Sequence, residues 1–215
     1  MKSLINIMIP TFVSIGNSCV IAHQLKKHKY QTKYTNFFDW LVSSVKTVTQ
    51  LLRVRDLQEL KQKLINLEFE EKLFEGHKVV ICKSFDCMKS VHDLPPIVNY
   101  SVVQEHFVNK YVRRYERFMD IVCRDEYVIF VLFVNSIDDT LLVDLKELIL
   151  KLCLIRKTHT FHVSVICKLK QSKKNFNKKN LKIFYLEDYK IPSVTNHTWT
   201  LEQFDWKDIL SRIAS

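Results

Sequence analysis

Residues 5–14 form an apolar run rich in β-branched side chains, the pattern of a buried strand. A short polar turn around Gly16 follows, and Asn17 and Ser18 offer cap chemistry to the helix after it. In that helix Val20, Ile21, Ala22 and Leu25 suit one face. After a polar stretch comes an aromatic block, NFFDWLV at 36–42. Residues 45–75 predict helix, because Val48, Leu51, Leu52, Leu60, Leu64 and Leu67 recur at three- and four-residue spacing, with Gly76 closing it as the C′ residue. HKVVIC at 77–82 predicts a second strand, and Pro95-Pro96 ends the segment beyond it. Residues 101–124 give the cleanest amphipathic helix: Val103, Phe107, Tyr111, Phe118 and Val122 lie on one stripe, with Arg113, Arg114 and Arg117 nearby. The nearly continuous run YVIFVLFV at 127–134 is typical of a central parallel strand. Residues 141–154 predict a helix, 162–168 and 181–186 two strands. A last helix runs from Thr200 as cap, with Gln203 three residues on.

This alternation of strands and helices predicts a single α/β domain over 1–215, a mostly parallel sheet covered by helices on both sides. Residues 45–75 then count as a helical insertion after the first strand–helix unit. The Lys/Asn-rich segment 168–182 has no helical pattern, which lets the last two strands pair as an antiparallel hairpin at the sheet edge, with 168–182 as its basic loop. No internal repeat is visible.

Composition narrows the function classes. With 215 residues, 47% of them hydrophobic and 12% aromatic, the chain can bury a core, and the signature of disorder is absent. It has only two glycines, Gly16 and Gly76, where an average chain of this length holds roughly fifteen. Glycine-rich dinucleotide and phosphate loops are thereby excluded, and no cofactor motif is present. Six cysteines form no CxxC pair and no zinc spacing, so reduced thiols in an intracellular, cytoplasmic protein are expected. The apolar N-terminus lacks the features of a signal peptide, and no run is long enough for a membrane span. The net charge of +10 makes an acidic protein partner conceivable. Nucleic acid is disfavoured, because the basic segment carries a single aromatic, Phe176, for stacking.

Open α/β sheets bind ligands at the carboxyl ends of their strands. The first such end is followed by Ser14-Ile15-Gly16-Asn17-Ser18-Cys19, with Cys19 entering a helix. A thiol at a helix N-terminus meets the positive end of the macrodipole and free N–H groups, both of which favour the thiolate. The next backbone N–H groups are placed to stabilise an oxyanion. A thiol nucleophile needs a base, and His92, in SVHDLPP after the second strand, is the best placed of eight histidines. His23 and His28 read as surface residues, His106 as helical, and His159 and His162 as strand-edge residues. Asp39, a charge within an aromatic cluster, orients His92 or caps its own turn, and Asp93 is open to the same two uses. The bland alternative for Cys19 is a small buried hydrophobe.

Three separated pieces, and a weaker fourth, also resemble one family. VSIGNSCVIAHQLKK is similar to the S-L-G-x-x-C-x-x-A-x-x-L opening of the DUF1796 family, described as papain-like cysteine peptidases. NFFDWLVS resembles its P-F-D-W-L block and VHDLP its H-D block. YVRRYERFMDI followed by YVIFVLFVNS resembles its Y-x-x-R-x-x-R-F helix and the strand after it. The resemblance implies a cysteine hydrolase (peptidase, amidase or acyl transferase) acting on an amide, ester or thioester. Cys19 would be nucleophile, His92 base, and Asp39 or Asp93 the third member, with Gly16, Asn17, Ser18 and Trp40 lining the substrate and oxyanion site. Two departures stand out: Asn135 falls where the family strand commonly ends in Arg, and Asn36 or Phe37 replaces the Pro. A papain-like α+β fold is the alternative architecture. A nucleophile directly after strand one is closer to SGNH esterases, which makes Ser18 a rival, although the late D-x-x-H pair of those enzymes is missing. The other functional class is a catalytically inactive interaction protein that engages an acidic partner, with the Lys/Asn bias pointing to a viral source.

Overall fold

The computed structural model describes residues 10–30, 33–74, 77–91, 99–157, 160–169, 179–190 and 200–215. In chain order its elements are β1 (Thr11–Ser14), α1 (Val20–Lys27), β2 (Leu41–Ser43), α2 (Val45–Leu51), α3 (Leu57–Leu64), β3 (Leu67–Phe74), β4 (His77–Cys82), β5 (Met88–Ser90), α4 (Tyr100–Cys123), β6 (Val128–Val134), α5 (Asp139–Ile155), β7 (Phe161–Cys167), β8 (Leu181–Tyr185) and α6 (Trp206–Ala214). They build two four-stranded sheets, ordered β1-β6-β7-β8 and β2-β5-β4-β3. The first is parallel throughout and the second antiparallel throughout. The α/β class read from the sequence is the class observed.

All seven residues of β6 and all seven of β7 are buried, as strands covered on both faces must be. Side chains alternate between two cores. Phe12, Ile129, Val131, Phe133 and Ile166 face α1 and α6. Val13, Phe130, Leu132, Val163 and Val165 join the larger core with α2, α3, α4, α5 and the antiparallel sheet. A buried Arg156 ties the frame together, its guanidinium donating to the backbone carbonyls of Ile121, Val122, Glu126 and Thr160. Four carbonyl acceptors replace the water it has lost.

Three element readings need correction. Residues 45–75 are not one helix. α2 ends at Leu51, Asp56 caps α3 by accepting from the Glu59 N–H, and 67–74 is strand β3. The leucine spacing ran on past Leu64, but Leu67 and Phe69 alternate with Glu68 and Glu70, a period of two. Those carboxylates meet Lys83 and Lys89 across the sheet. Next, β7 and β8 are parallel, Val163 standing opposite Leu181, so 168–182 joins them as a crossover and not as a hairpin loop. Parallel neighbours require a connection of about a dozen residues or more, which 168–180 supplies. Lastly, the tail helix starts six residues beyond Thr200, at Trp206. Asp205 caps it from the Asp208 N–H, a stronger cap than the threonine.

Candidate active site

β1 hands its chain to α1 through a turn that few sequences can make. Ile15 continues the parallel ladder, its N–H donating to the Val131 carbonyl at 3.0 Å. Gly16 then adopts φ +100°, and a Cβ built there would lie 1.9 Å from Ser43 Oγ. Both the left-handed backbone and the close approach of β2 require glycine. Asn17 follows at φ +68°, a conformation asparagine tolerates. Its Nδ2 donates to the Phe133 carbonyl at 2.7 Å, which pins the turn to β6. Ser18 Oγ accepts from the Val20 N–H at 3.3 Å, a local bond that opens α1.

Cys19 occupies the N-cap position of α1, already in helical φ/ψ, and its side chain makes no capping bond. Its carbonyl accepts the first intrahelical bond, from the His23 N–H at 3.0 Å. The first-turn N–H groups just beyond it have no carbonyl inside the helix to bond, and that of Val20 turns to Ser18 Oγ instead. The residue is 5% exposed and packs with Val79 and Val91, with Trp40 and Val42 against them. The thiol therefore sits between the start of α1 and the antiparallel sheet.

A second strained turn reaches the same place. Phe37 packs edge-on against Tyr111 at 5.3 Å and Phe38 against Phe118 at 5.4 Å, both rings of α4. Between these anchors and β2, Trp40 is held at φ +66°, which a large aromatic rarely adopts. Asp39 is 1% exposed, with its Oδ2 accepting from the Asn36 N–H at 2.8 Å. Arg114 of α4 donates to the Asp39 carbonyl at 3.4 Å. The site residues predicted at 16–19 and 39–40 thus stand on two turns that converge beside the thiol.

His92 and Asp93 lie outside the described residues. Val91, the residue before His92, is buried in the Cys19 cluster. Among the other histidines, His106 is exposed on α4, while His23 and His28 are half-buried on α1. His162 is not a strand-edge residue, because β7 lies between β6 and β8. It is buried, its Nδ1 is 2.5 Å from the Tyr127 hydroxyl, and burial lowers its pKa to about 4. Asn135, standing where the resembling family has Arg, is exposed just beyond β6. Among the described residues no group of three His, Cys, Asp or Glu side chains is placed to hold a metal ion. Ser43, Val79 and Val91 were not foreseen; they reach the site from β2, β4 and the end of β5, and β2 and β5, of three residues each, are too short for a period to show.

A family model described as "Putative papain-like cysteine peptidase (DUF1796)" matches residues 10–173. The chain belongs to this family. The DUF1796 match runs from the strand before Cys19 to beyond β7, so it takes in both turns, the antiparallel sheet and β1, β6 and β7 of the parallel one. No curated protein and no solved structure matches the chain. No helix among the described residues is long and apolar enough to cross a membrane.

Proposed function

We propose that this DUF1796 chain is a thiol-dependent acyl hydrolase or acyl transferase of papain-like type. The sulfur of Cys19 attacks the carbonyl carbon of an amide, ester or thioester. His92 takes the thiol proton and passes it to the leaving group, so that an acyl-Cys19 thioester forms as the amine, alcohol or thiol departs. Water, or a second acceptor in a transferase, then releases the acyl group. Asp39 or Asp93 orients the imidazole. Gly16, Asn17, Ser18 and the first N–H groups of α1 surround the developing oxyanion, and Trp40 walls the substrate. The observation that carries this reading is a cysteine at the N-cap position of a helix, where two left-handed turns converge. Backbone strain of this kind concentrates at functional sites.

The test is acyl capture. The full chain is offered a panel of aryl thioesters and peptide anilides, quenched in acid, and weighed intact. One acyl adduct mapped to Cys19, absent in Cys19→Ala and retained in Cys123→Ala, supports the proposal. An adduct that persists in Cys19→Ala but vanishes in Ser18→Ala transfers the nucleophile to Ser18. A second reading, an inactive interaction protein with an acidic partner, is favoured by the 5% exposure of Cys19. No adduct with any donor, together with salt-sensitive capture of acidic peptides, would establish that reading instead.

A further inference from the structure

At the edge of the parallel sheet opposite Cys19, where β1 begins, lies an open cavity of about 330 Å³. Its cationic side is made by Lys33, Arg117 and Arg124, its anionic side by Asp120 and Glu126, and Ile121 contributes apolar surface. The charges do not balance locally. Arg124 takes both carboxylates, bonding Asp120 and standing 3.9 Å from Glu126. Lys33 and Arg117 instead converge on one aromatic ring: the ammonium lies 5.4 Å and the guanidinium 5.0 Å from the centre of Tyr34. Among the described residues neither of these cations meets a carboxylate. The ring holds two like charges in one small cavity and leaves their N–H groups without an anionic acceptor. A guanidinium lying over a ring keeps its N–H edge available for a two-point bond to an oxyanion.

The geometry points to a binding site for a small ligand with an oxyanion head, held at two points by Arg117 and Lys33 beside Tyr34. The sign of the head follows from a lining of three cations against two carboxylates, and its placement from Lys33 and Arg117, which meet no carboxylate among the described residues. The size follows from the cavity, which is at the lower end of the roughly 300–1,000 Å³ usual for small-molecule sites. A phosphate monoester and a dicarboxylate share this chemistry. The site lies at the amino ends of the parallel strands, whereas Cys19 follows a carboxyl end, so it is independent of the acyl chemistry proposed for the thiol.

Calorimetric titration of the full chain with phenyl phosphate, and separately with succinate, tests the site. One ligand per chain is expected, with binding about tenfold weaker in Arg117→Gln and again in Lys33→Gln, and unchanged in the control Lys157→Gln. Lys33 is exposed, so its replacement leaves the fold intact. Tighter binding of phenyl phosphate assigns the head as phosphoryl, and tighter succinate as dicarboxylate. No saturable binding of either probe up to about 10 mM, or equal binding by wild type and both variants, overturns the proposal.

Discussion

Cys19 and Cys167 are both buried thiols, yet one opens a helix and the other ends a strand. Cys167 is the last residue of β7, and its S–H donates to the Leu169 carbonyl at 3.0 Å. Cys82, the last residue of β4, does the same toward the Lys63 carbonyl at 3.2 Å. Burial raises both pKa values, that of Cys82 to about 11. Burial outweighs the opposing backbone hydrogen bonds at Ser84 and Leu169, so these two cysteines behave as small core residues. Cys19 lies five residues past the end of β1, at the N-cap of α1, the end of a helix that presents N–H donors. The strand-to-helix turn makes that difference, and Gly16 makes the turn.

The strongest way to break the comparison is therefore Gly16→Ala. A Cβ at this position meets Ser43 Oγ and forces a side chain into φ +100°. Urea denaturation should show a loss of roughly 3 kcal/mol or more. Adding Ser43→Gly removes the overlap and should recover part of the loss, leaving only the backbone strain. If Gly16→Ala unfolds with the wild-type midpoint, the turn is not what fixes Cys19.

His162 tests whether burial alone governs groups on β7. Its neighbours are Tyr127 and Lys182, and neither favours the imidazolium. The native pKa, about 4, lies below the usual 6.5, so the unfolded chain binds the proton more readily. Stability present above pH 6.5 is then lost as pH falls toward 4, by a total on the order of 3 kcal/mol. Denaturation midpoints measured at steps across this window should fall in the wild type and fall less in His162→Gln. Parallel curves would assign the acid sensitivity to other groups.

Alkylation reads the comparison directly. Iodoacetamide at neutral pH should modify Cys19 ahead of the other five cysteines, and at least about tenfold faster than Cys82 or Cys167. Peptide mapping at short times gives the rates, and exposed Cys123 supplies the reference. The Cys19-to-Cys123 ratio should rise as pH falls from 9 to 6. A ratio independent of pH would mean that the helix start does not favour the thiolate. The smallest effect is expected from Asn17→Gly, which keeps the left-handed backbone and removes only the bond to Phe133. A cost of about 1 kcal/mol in urea denaturation is expected.

The turn and the parallel strands were legible because their signals are local. Gly16 is one of two glycines, Asn17 tolerates a left-handed backbone, and the apolar run of β6 admits little besides a covered strand. The antiparallel sheet was mostly illegible. β2 and β5 are three residues each, too short for a period to show, and β3 continues a leucine spacing begun in α3. The direction of β8 was misread for the same reason, since nothing in 168–180 announces which way the chain returns.

By itself the sequence determined the class of the fold, the strand–glycine–cysteine–helix turn, and the family to which 10–173 belongs. These depend on backbone preferences and on patterns within a few residues. Only the tertiary structure decided what surrounds the thiol. Ser43 closes on Gly16, Val79 and Val91 cover Cys19, and Trp40 is bent into an unfavourable conformation beside it, through contacts between segments dozens of residues apart. It also decided that Cys82 and Cys167 face carbonyls while Cys19 stands at a helix start. Side-chain type is written in the chain, but the dipoles around a side chain are set by whichever elements pack against it.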